Sequence, residues 1–301
     1  MEPRFTDKLI LRTGKALGSL FYLVDARHRR IVWRNLRFAF PTMPTSDIRH
    51  TSRKVFQNAA ISFLEILQIS RLSEQHVLDK VQILGGEHLL RAKTSGKGAI
   101  VISAHFGNWE MAHIFGSCFL KEPLVLVARK VRPSMANQWL NAMRARFGSE
   151  ILDKSSALPQ MIRAIRRGRI LGLLIDQGTL WSDGIEIEFF GKKAYATPAA
   201  AVLARRYRVP VIPVFCHRRE DGTLQIEAKE PLRLHETEDY QDDIQRNTQI
   251  MMEAIERAIR EHPDQWFWFH KRWKRHYPEL YPEDIARRKR QKRKKRSSSI
   301  S

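Results

Sequence analysis

The polar residues best placed for chemistry come at the end of an apolar run. Residues 99–104 read Ala-Ile-Val-Ile-Ser-Ala, a pattern that predicts a buried strand. His105 follows this run, and Glu110 comes five residues later, in the first turn of a helix that Asn108 can cap. Such a pair suits general-base catalysis on a hydroxyl, because the carboxylate can orient the imidazole and stabilise its protonated form. The alternative is structural: Glu110 complements the helix dipole, and His105 is an ordinary loop residue.

Two other apolar runs also end in polar side chains. Asp176 and Gln177 directly follow one of them, and Arg129 directly follows another. The carboxyl ends of parallel strands meet at one edge of a sheet, where open α/β sheets bind ligands. Asp176 and Gln177 are therefore candidates to hold His105, a substrate hydroxyl or an arginine, although aspartate and glycine also favour plain turns. Arg129 is a candidate phosphate ligand.

Further basic residues lie close to these positions. Lys130 and Arg132 follow Arg129, and either a phosphate site or a solvated loop explains them. Arg144 and Arg146 come at the end of a predicted helix, just before Gly148, and are also candidates for substrate binding. Cations in the last turn of a helix already have a structural explanation, so this pattern is weak by itself.

From residue 98 onward, apolar runs alternate with amphipathic segments, which predicts an α/β fold with a largely parallel sheet. Strands are predicted at 98–104, 123–129, 169–175, 209–216 and 223–228. Helices are predicted at about 108–120, 134–147, 155–167, 197–207 and 240–261. We expect a helical, membrane-proximal region over residues 1–95, an α/β core over 96–276 that forms one domain with it, and a basic disordered tail over 277–301.

The chain is strongly basic, with a net charge of +21 over 301 residues. This charge predicts an anionic partner: a nucleic acid, an anionic bilayer or a phosphorylated substrate. Residues 16–24 form an apolar run that is too short to span a bilayer and has basic residues on both sides. The run suits a helix lying on a membrane surface, and it equally suits an ordinary amphipathic docking helix. Cys118 and Cys216 lie in apolar surroundings and are expected to be reduced core residues.

Two aromatic segments have both a functional and a structural interpretation. Phe189, Phe190 and Gly191 suggest an exposed loop that lines an acyl chain or dips into a membrane, against the alternative of core packing. Residues 266–274 interleave tryptophans with lysine and arginine. That mixture suits a membrane interface, and it also suits stacking on nucleic acid.

Taken in order, the motifs of this chain resemble the lipid A biosynthesis acyltransferase family, the late lauroyl and myristoyl transferases of Gram-negative bacteria within the glycerolipid acyltransferase superfamily. The resemblance covers about residues 15–276. It is carried by Asn35-Leu-Arg-Phe-Ala-Phe-Pro41, His105-Phe-Gly-Asn-Trp-Glu110, Asp176-Gln177, Phe189-Phe-Gly191, Pro210-Val-Ile-Pro213 and His262-Pro-Asp-Gln-Trp266 with Arg272-Trp-Lys274.

The resemblance implies a glycerol-3-phosphate acyltransferase-like fold and a definite reaction. A fatty acyl chain would move from acyl carrier protein to a hydroxyl of a phosphorylated lipid A precursor, at the cytoplasmic face of the inner membrane. His105 matches the family's catalytic histidine and Glu110 its acidic partner. Arg129 matches a phosphate- or headgroup-binding arginine, for which Arg144 or Arg146 are alternatives, and Asp176 matches an acidic residue near the substrate. Neither a cofactor nor a metal is implied.

One departure from the family and two other functions remain open at the level of sequence. Family members usually begin with a membrane-spanning helix, whereas the short apolar run here favours peripheral attachment to an anionic membrane surface. A lysophospholipid or another glycolipid is an alternative acceptor. A non-catalytic basic protein that binds membranes or nucleic acid is an alternative of another class, but it would not need His105, Glu110 and Asp176 at strand ends. For the oxyanion of the reaction, the sequence offers backbone amides near Gly107 or an arginine.

Overall fold

The computed structural model describes residues 5–128, 134–153 and 156–285. Arg129, Lys130 and Arg132 lie outside the described residues, as do residues 286–301, which include most of the predicted tail. Residues 277–285, which the sequence assigned to the tail, are instead packed on the core. Tyr281 is fully buried there, and its hydroxyl donates to Asn35 Oδ1 at 2.7 Å.

The chain begins with helices, as predicted. They are α1 (Phe5–Val24), α2 (Ala26–Ala39), α3 (Thr45–Ile69) and α4 (Glu74–Lys80). Side-chain caps fix two of the starts: Asp25 accepts from the amide of His28 before α2, and Ser73 accepts from the amide of His76 before α4. The predicted helical region also holds one short strand, β1 (Val81–Leu84), and α5 (Gly86–Thr94).

A seven-stranded sheet forms the centre of the described part of the molecule. Besides β1, its strands are β2 (Ala99–Ser103), β3 (Val125–Ala128), β4 (Glu150–Asp153), β5 (Ile170–Leu174), β8 (Val211–Arg218) and β9 (Leu224–Ala228). They lie in the order β1-β9-β8-β2-β5-β3-β4. The neighbours pair in parallel, except β8 and β9, which are antiparallel. A separate antiparallel hairpin is formed by β6 (Ile185–Phe189) and β7 (Lys192–Ala196). The predicted α/β fold with a mostly parallel sheet is confirmed.

Helices cover both faces of this sheet. After α5 they are α6 (Trp109–Leu120), α7 (Ser134–Arg146), α8 (Ala157–Arg166), α9 (Ala199–Tyr207) and α10 (Tyr240–Glu261), which matches the predicted set. Successive residues of a strand face opposite sides, so the sheet contributes to two cores. Along β2, Ile100 and Ile102 face one core, while Ala99 and Val101 face the other.

The aromatic segment after α10 is buried, so the expectation of an exposed membrane- or nucleic-acid-binding stretch was wrong. Trp266, Trp268 and Trp273 are at most 2% exposed. Phe189 and Phe190 are buried against them, with Phe189 and Trp266 ring centroids 5.7 Å apart, so of the two interpretations of this segment core packing is confirmed. Removing these large rings from water and packing them edge-to-face stabilises the core more than exposure would. We call residues 262–273 the C-terminal strap.

The turn after β2 depends on a glycine. Gly107 has a φ of +53°, and a Cβ atom there would lie 1.9 Å from the carbonyl oxygen of Cys216. Its own amide donates to the carbonyl of Gln265 in the strap at 2.9 Å, and its carbonyl accepts from Ser62 Oγ at 3.0 Å. Because that amide is already occupied, it is not free to bind an oxyanion as the sequence suggested.

Replacing Gly107 with alanine is expected to destabilise the fold by at least about 3 kcal/mol, because the left-handed backbone and the collision with Cys216 both oppose it. Gly191 is a matched control: its φ is +64°, but a Cβ there meets nothing within 4 Å. Gly191→Ala should therefore cost only about 1 kcal/mol. Urea unfolding of both variants measures the difference, and equal losses would contradict the close approach.

Candidate active site

His105 and Asp176 are brought together at the carboxyl edge of the sheet. Strands β2 and β5 are parallel neighbours, with Ser103 opposite Leu174, so the residues that follow them meet. His105 Nδ1 lies 2.8 Å from Asp176 Oδ1, and the His105 amide donates to Asp176 Oδ2 at 3.1 Å. The ring nitrogen Nδ1 thus donates to the carboxylate, which leaves Nε2 as the basic nitrogen.

A third hydrogen bond fixes Asp176 from the strap. The indole N–H of Trp266 donates to Asp176 Oδ2 at 2.8 Å. Burial alone would raise the pKa of Asp176, but the charge of His105 and hydrogen bonds from His105 and Trp266 lower it to about 2. The carboxylate is therefore ionised although it is buried. Sequence reasoning noted Trp266 for its aromatic ring and missed its N–H, which is the group that acts here.

His105 is set up as a base with a raised pKa. Burial opposes its protonation, but the charge of Asp176, the hydrogen bond to it and the charge of Glu110 together raise the pKa of His105 above its usual value. The side-chain amide of Gln177 lies 3.3 Å from His105 Nε2, so this predicted residue also joins the site.

Glu110 does not take the position on His105 that the sequence assigned to it, because its carboxylate is engaged by other partners. Arg144 donates to both carboxylate oxygens of Glu110, at 2.9 and 2.5 Å, and His113 Nε2 lies 2.8 Å from Oε2. Burial would raise the pKa of Glu110, but the contacts to His113 and Arg144 lower it well below its usual range. Asp176 orients the imidazole instead, and Glu110 acts on His105 through its charge.

The predicted arginines have different surroundings. Arg144 lines the same cavity as His105. Arg146 is turned towards the end of α3, where its guanidinium donates to the carbonyls of Ser70 and Leu72, and it lies outside the cavity lining. Arg129, the first candidate for binding a phosphate, lies outside the described residues.

A cavity of about 600 Å³ has His105 in its lining. Its polar lining includes His105, Glu110, His113, Arg144 and Gln177. Most of the remaining lining is apolar and comes from the sheet and from the helices that include α5, α6 and α7; it includes Leu89, Val101, Leu120, Leu124, Leu126, Leu140 and Val214. A largely apolar cavity with a few polar groups can hold an apolar ligand and orient its reactive group at the histidine. Among the described residues, no group of three or more His, Cys, Asp and Glu is arranged to hold a metal.

Two strap residues beneath Asp176 were not predicted as part of the site. His270 Nε2 accepts from the amide of Gly178 at 3.3 Å, and burial, together with the nearby charge of Arg272, lowers the pKa of His270 to about 4. Arg272 is buried, donates to the carbonyl of Tyr195 at 2.6 Å and lies over the Phe189 ring. No local pattern indicates these contacts, since strap and sheet are far apart along the chain.

The comparison with known proteins agrees with this geometry. A family model described as bacterial lipid A biosynthesis acyltransferase matches residues 4–275. The chain belongs to this family. It is therefore an acyltransferase, and the resemblance found in the sequence is confirmed.

Individual relatives of this acyltransferase are distant. The lipid A biosynthesis lauroyltransferase of Escherichia coli (strain K12) is 26% identical over 275 residues, which are 88% of this chain and 85% of that protein. A lipid A biosynthesis acyltransferase of Haemophilus influenzae is 24% identical over 272 residues, 88% of this chain and 80% of that protein. A phosphatidylinositol mannoside acyltransferase of Mycolicibacterium smegmatis is 24% identical over 220 residues, 70% of this chain and 66% of that protein.

In this acyltransferase, Trp266→Phe keeps an aromatic ring in the strap but removes the hydrogen bond to Asp176. We expect kcat to fall about tenfold to a hundredfold with little change in KM, because a charge-assisted hydrogen bond contributes roughly 1.5–3 kcal/mol and this one orients the base.

Trp268→Phe is the matched control. Trp268 is equally buried in the strap, but its indole N–H donates to the carbonyl of Pro263 and not to Asp176. Steady-state kinetics with thermal unfolding on both variants separates the two effects. An equal loss of stability with an unchanged kcat in Trp266→Phe would show that Trp266 only packs.

Proposed function

We propose that this enzyme transfers a fatty acyl chain from acyl carrier protein to a hydroxyl of a lipid A precursor, at the cytoplasmic face of the inner membrane. The observation that carries this proposal is the His105–Asp176 pair, with His105 in the lining of a largely apolar cavity. In this proposal the apolar side chains accommodate the acyl chain, and the polar side chains around His105 receive the two groups that react.

The reaction needs one proton to be moved and returned. His105 Nε2 takes the proton of the acceptor hydroxyl, while Asp176 stabilises the imidazolium that results. The hydroxyl oxygen attacks the thioester carbonyl, and the tetrahedral intermediate collapses with cleavage of the carbon–sulfur bond. The leaving thiolate takes the proton back from His105, so the products are an ester and a thiol. This route needs no acyl-enzyme, and both cysteines are buried.

Arg144 is the cation that this scheme assigns to substrate. Its guanidinium lines the cavity, and its bidentate contact with Glu110 fixes its orientation. From there it can bind a phosphate of the acceptor or stabilise the oxyanion of the intermediate. Glu110 thus serves the reaction by positioning Arg144 and by raising the pKa of His105. Arg129 stays a further candidate for a phosphate.

The acceptor has one specific alternative. The similarity to a phosphatidylinositol mannoside acyltransferase favours a different glycolipid, or a lysophospholipid, as the second candidate. Mass spectrometry of lipid A from cells with and without this protein decides between them. One added acyl chain supports the lipid A precursor, whereas unchanged lipid A with transfer to another lipid in an acceptor panel supports the second candidate.

Removing the base tests the chemistry itself. His105→Ala should lower kcat/KM by about 10³-fold or more, because general-base catalysis would be lost. His50→Ala, an exposed histidine on α3, is the control and should leave transfer unchanged. Transfer from radiolabelled acyl carrier protein is the measurement. Near-normal turnover in His105→Ala would exclude His105 as the base, and absent transfer in wild type would overturn the proposed donor and acceptor.

The pH profile gives a second test of the pair. The base must be neutral, so kcat/KM should rise with pH through the pKa of His105. Because Asp176 raises that pKa, Asp176→Asn should shift this limb to lower pH while lowering kcat by about 10²–10⁴-fold. If the rise of kcat/KM with pH occurs at the same pH in Asp176→Asn as in wild type, a group other than His105 controls it.

The positive charge of the chain predicts how the donor binds. An acidic acyl carrier protein would be steered by a protein of net charge +21, and salt screens such attraction. We expect KM for acyl carrier protein to rise with ionic strength while kcat stays constant. A KM that does not depend on salt would count against this partner.

A further inference from the structure

An apolar face on α1 is exposed to solvent along most of the helix. Its members are large side chains between 36% and 68% exposed: Leu9, Leu17, Leu20, Phe21, Leu23 and Val24. With a rotation of about 100° per residue, these positions fall on one side of the helix, together with exposed Thr13 and Ala16. We call this set the α1 face. A contiguous apolar surface of this kind indicates an interaction site.

The opposite side of α1 is fixed against the protein, so the α1 face cannot turn inward. A Cβ atom at Gly14 would lie 2.5 Å from Ile61 Cγ1, and one at Gly18 would lie 2.4 Å from the Cα of Gln57. These two glycines allow the backbones of α1 and α3 to approach closely. The α1 face is therefore held outward by packing.

Basic side chains border the α1 face. Lys8, Arg12 and Lys15 are exposed along one edge of the helix, and Arg27 and Arg30 follow on α2. An apolar arc bordered by cations is typical of helices that lie in the plane of a membrane, where the cations meet anionic headgroups. None of the described helices is long and apolar enough to cross a bilayer.

The α1 face lies on the helix that packs against α3, and α3 leads to the cavity. Phe63 on α3 is 61% exposed and also lines the cavity that holds His105. Leu67 is exposed one turn further along α3, and Trp139 and Leu174 are exposed apolar residues of the cavity lining. Solvent-exposed apolar side chains thus belong to the cavity lining.

We propose that α1 lies in the plane of an anionic bilayer, with the α1 face in the acyl region and its basic edge at the headgroups. The membrane contact does not depend on which reaction the enzyme performs. A second consequence rests on the proposed function: the lipid acceptor enters the cavity past Phe63 without leaving the bilayer.

Binding to vesicles tests the contact with the full-length protein. The double variant Leu20→Ser, Phe21→Ser should bind vesicles of phosphatidylethanolamine and phosphatidylglycerol roughly tenfold to a hundredfold more weakly than wild type. Leu158→Ser is the matched control, because Leu158 on α8 is 54% exposed, as is Leu20. The basic residues 286–301 are present in all three proteins, so their contribution cancels.

A site-specific probe shows whether the face enters the lipid. Cys118 and Cys216 are buried, and burial raises their pKa values to about 11 and about 12, so a thiol reagent should label only a new cysteine. An environment-sensitive dye on Leu20→Cys should shift to the blue with vesicles, and the same dye on Leu158→Cys should not. Equal vesicle binding of wild type and the double variant would overturn the proposal. So would a double variant that loses self-association while binding vesicles normally, since a second copy would then cover the face.

A transfer assay with two forms of the acceptor separates an effect on membrane binding from an effect on catalysis. With a detergent-dispersed acceptor, the double variant should match wild type, whereas with the acceptor in vesicles it should be at least about tenfold slower. Equal loss in both assays would contradict the route past Phe63. If wild type shows no transfer in either assay, the proposed function fails and the vesicle result still decides the membrane contact.

Discussion

The site depends on one constraint: an ionised carboxylate, Asp176, is buried and must have its charge satisfied by hydrogen bonds. Three donors from two parts of the chain supply them: the amide and the ring of His105 after β2, and the indole of Trp266 in the strap. Satisfying one carboxylate therefore joins the ends of β2 and β5 to the C-terminal strap. Backbone bonds continue this link, since the amide of Phe267 donates to the carbonyl of His105 at 2.9 Å. The strap thus supports the base, although it follows α10 in the chain.

Two more buried carboxylates hold the turn between β2 and α6 from other sides. Glu65 on α3 accepts from Arg218 at 2.7 and 2.6 Å and from Asn108 Nδ2 at 2.8 Å, and Asn108 in turn caps α6. Glu110, in the first turn of α6, is the second carboxylate, and Arg144 on α7 donates to it. Buried ion pairs contribute little net stability, but removing one partner is costly, so each pair favours one arrangement of the turn. Positioning of His105 is a reason for such charges to lie inside the protein.

Sequence patterns were sufficient where a local rule decides the outcome. The alternation of apolar runs and amphipathic helices predicted the fold, and parallel strands then required His105 and Asp176 to meet. Glu110 was assigned to His105 because of its spacing in the sequence. Spacing does not decide whether a carboxylate binds His105 or a cation from a distant part of the chain, and here Arg144, which lines the same cavity, donates to Glu110. Strands β1 and β4 were not predicted, because each has four residues that include polar ones, whereas β3, equally short, lies in a continuous apolar run. The strap was misread because a mixture of tryptophan and basic residues is equally consistent with an exposed surface and with a core whose polar atoms find partners inside.

Among Asp176, His105, His270 and Arg272, only His105 has a pKa that suits proton transfer near neutral pH. The pKa of Asp176, about 2, keeps it charged under all ordinary conditions. His270 is neutral above its pKa of about 4, and Arg272 stays protonated although burial lowers its pKa to about 10. Between these limits the charges beneath His105 do not change with pH, while the pKa of His105 itself is raised above its usual value. Titration of His105 is therefore not accompanied by a change of charge on Asp176, His270 or Arg272, so these three groups favour the same position of the base through removal and return of the hydroxyl proton.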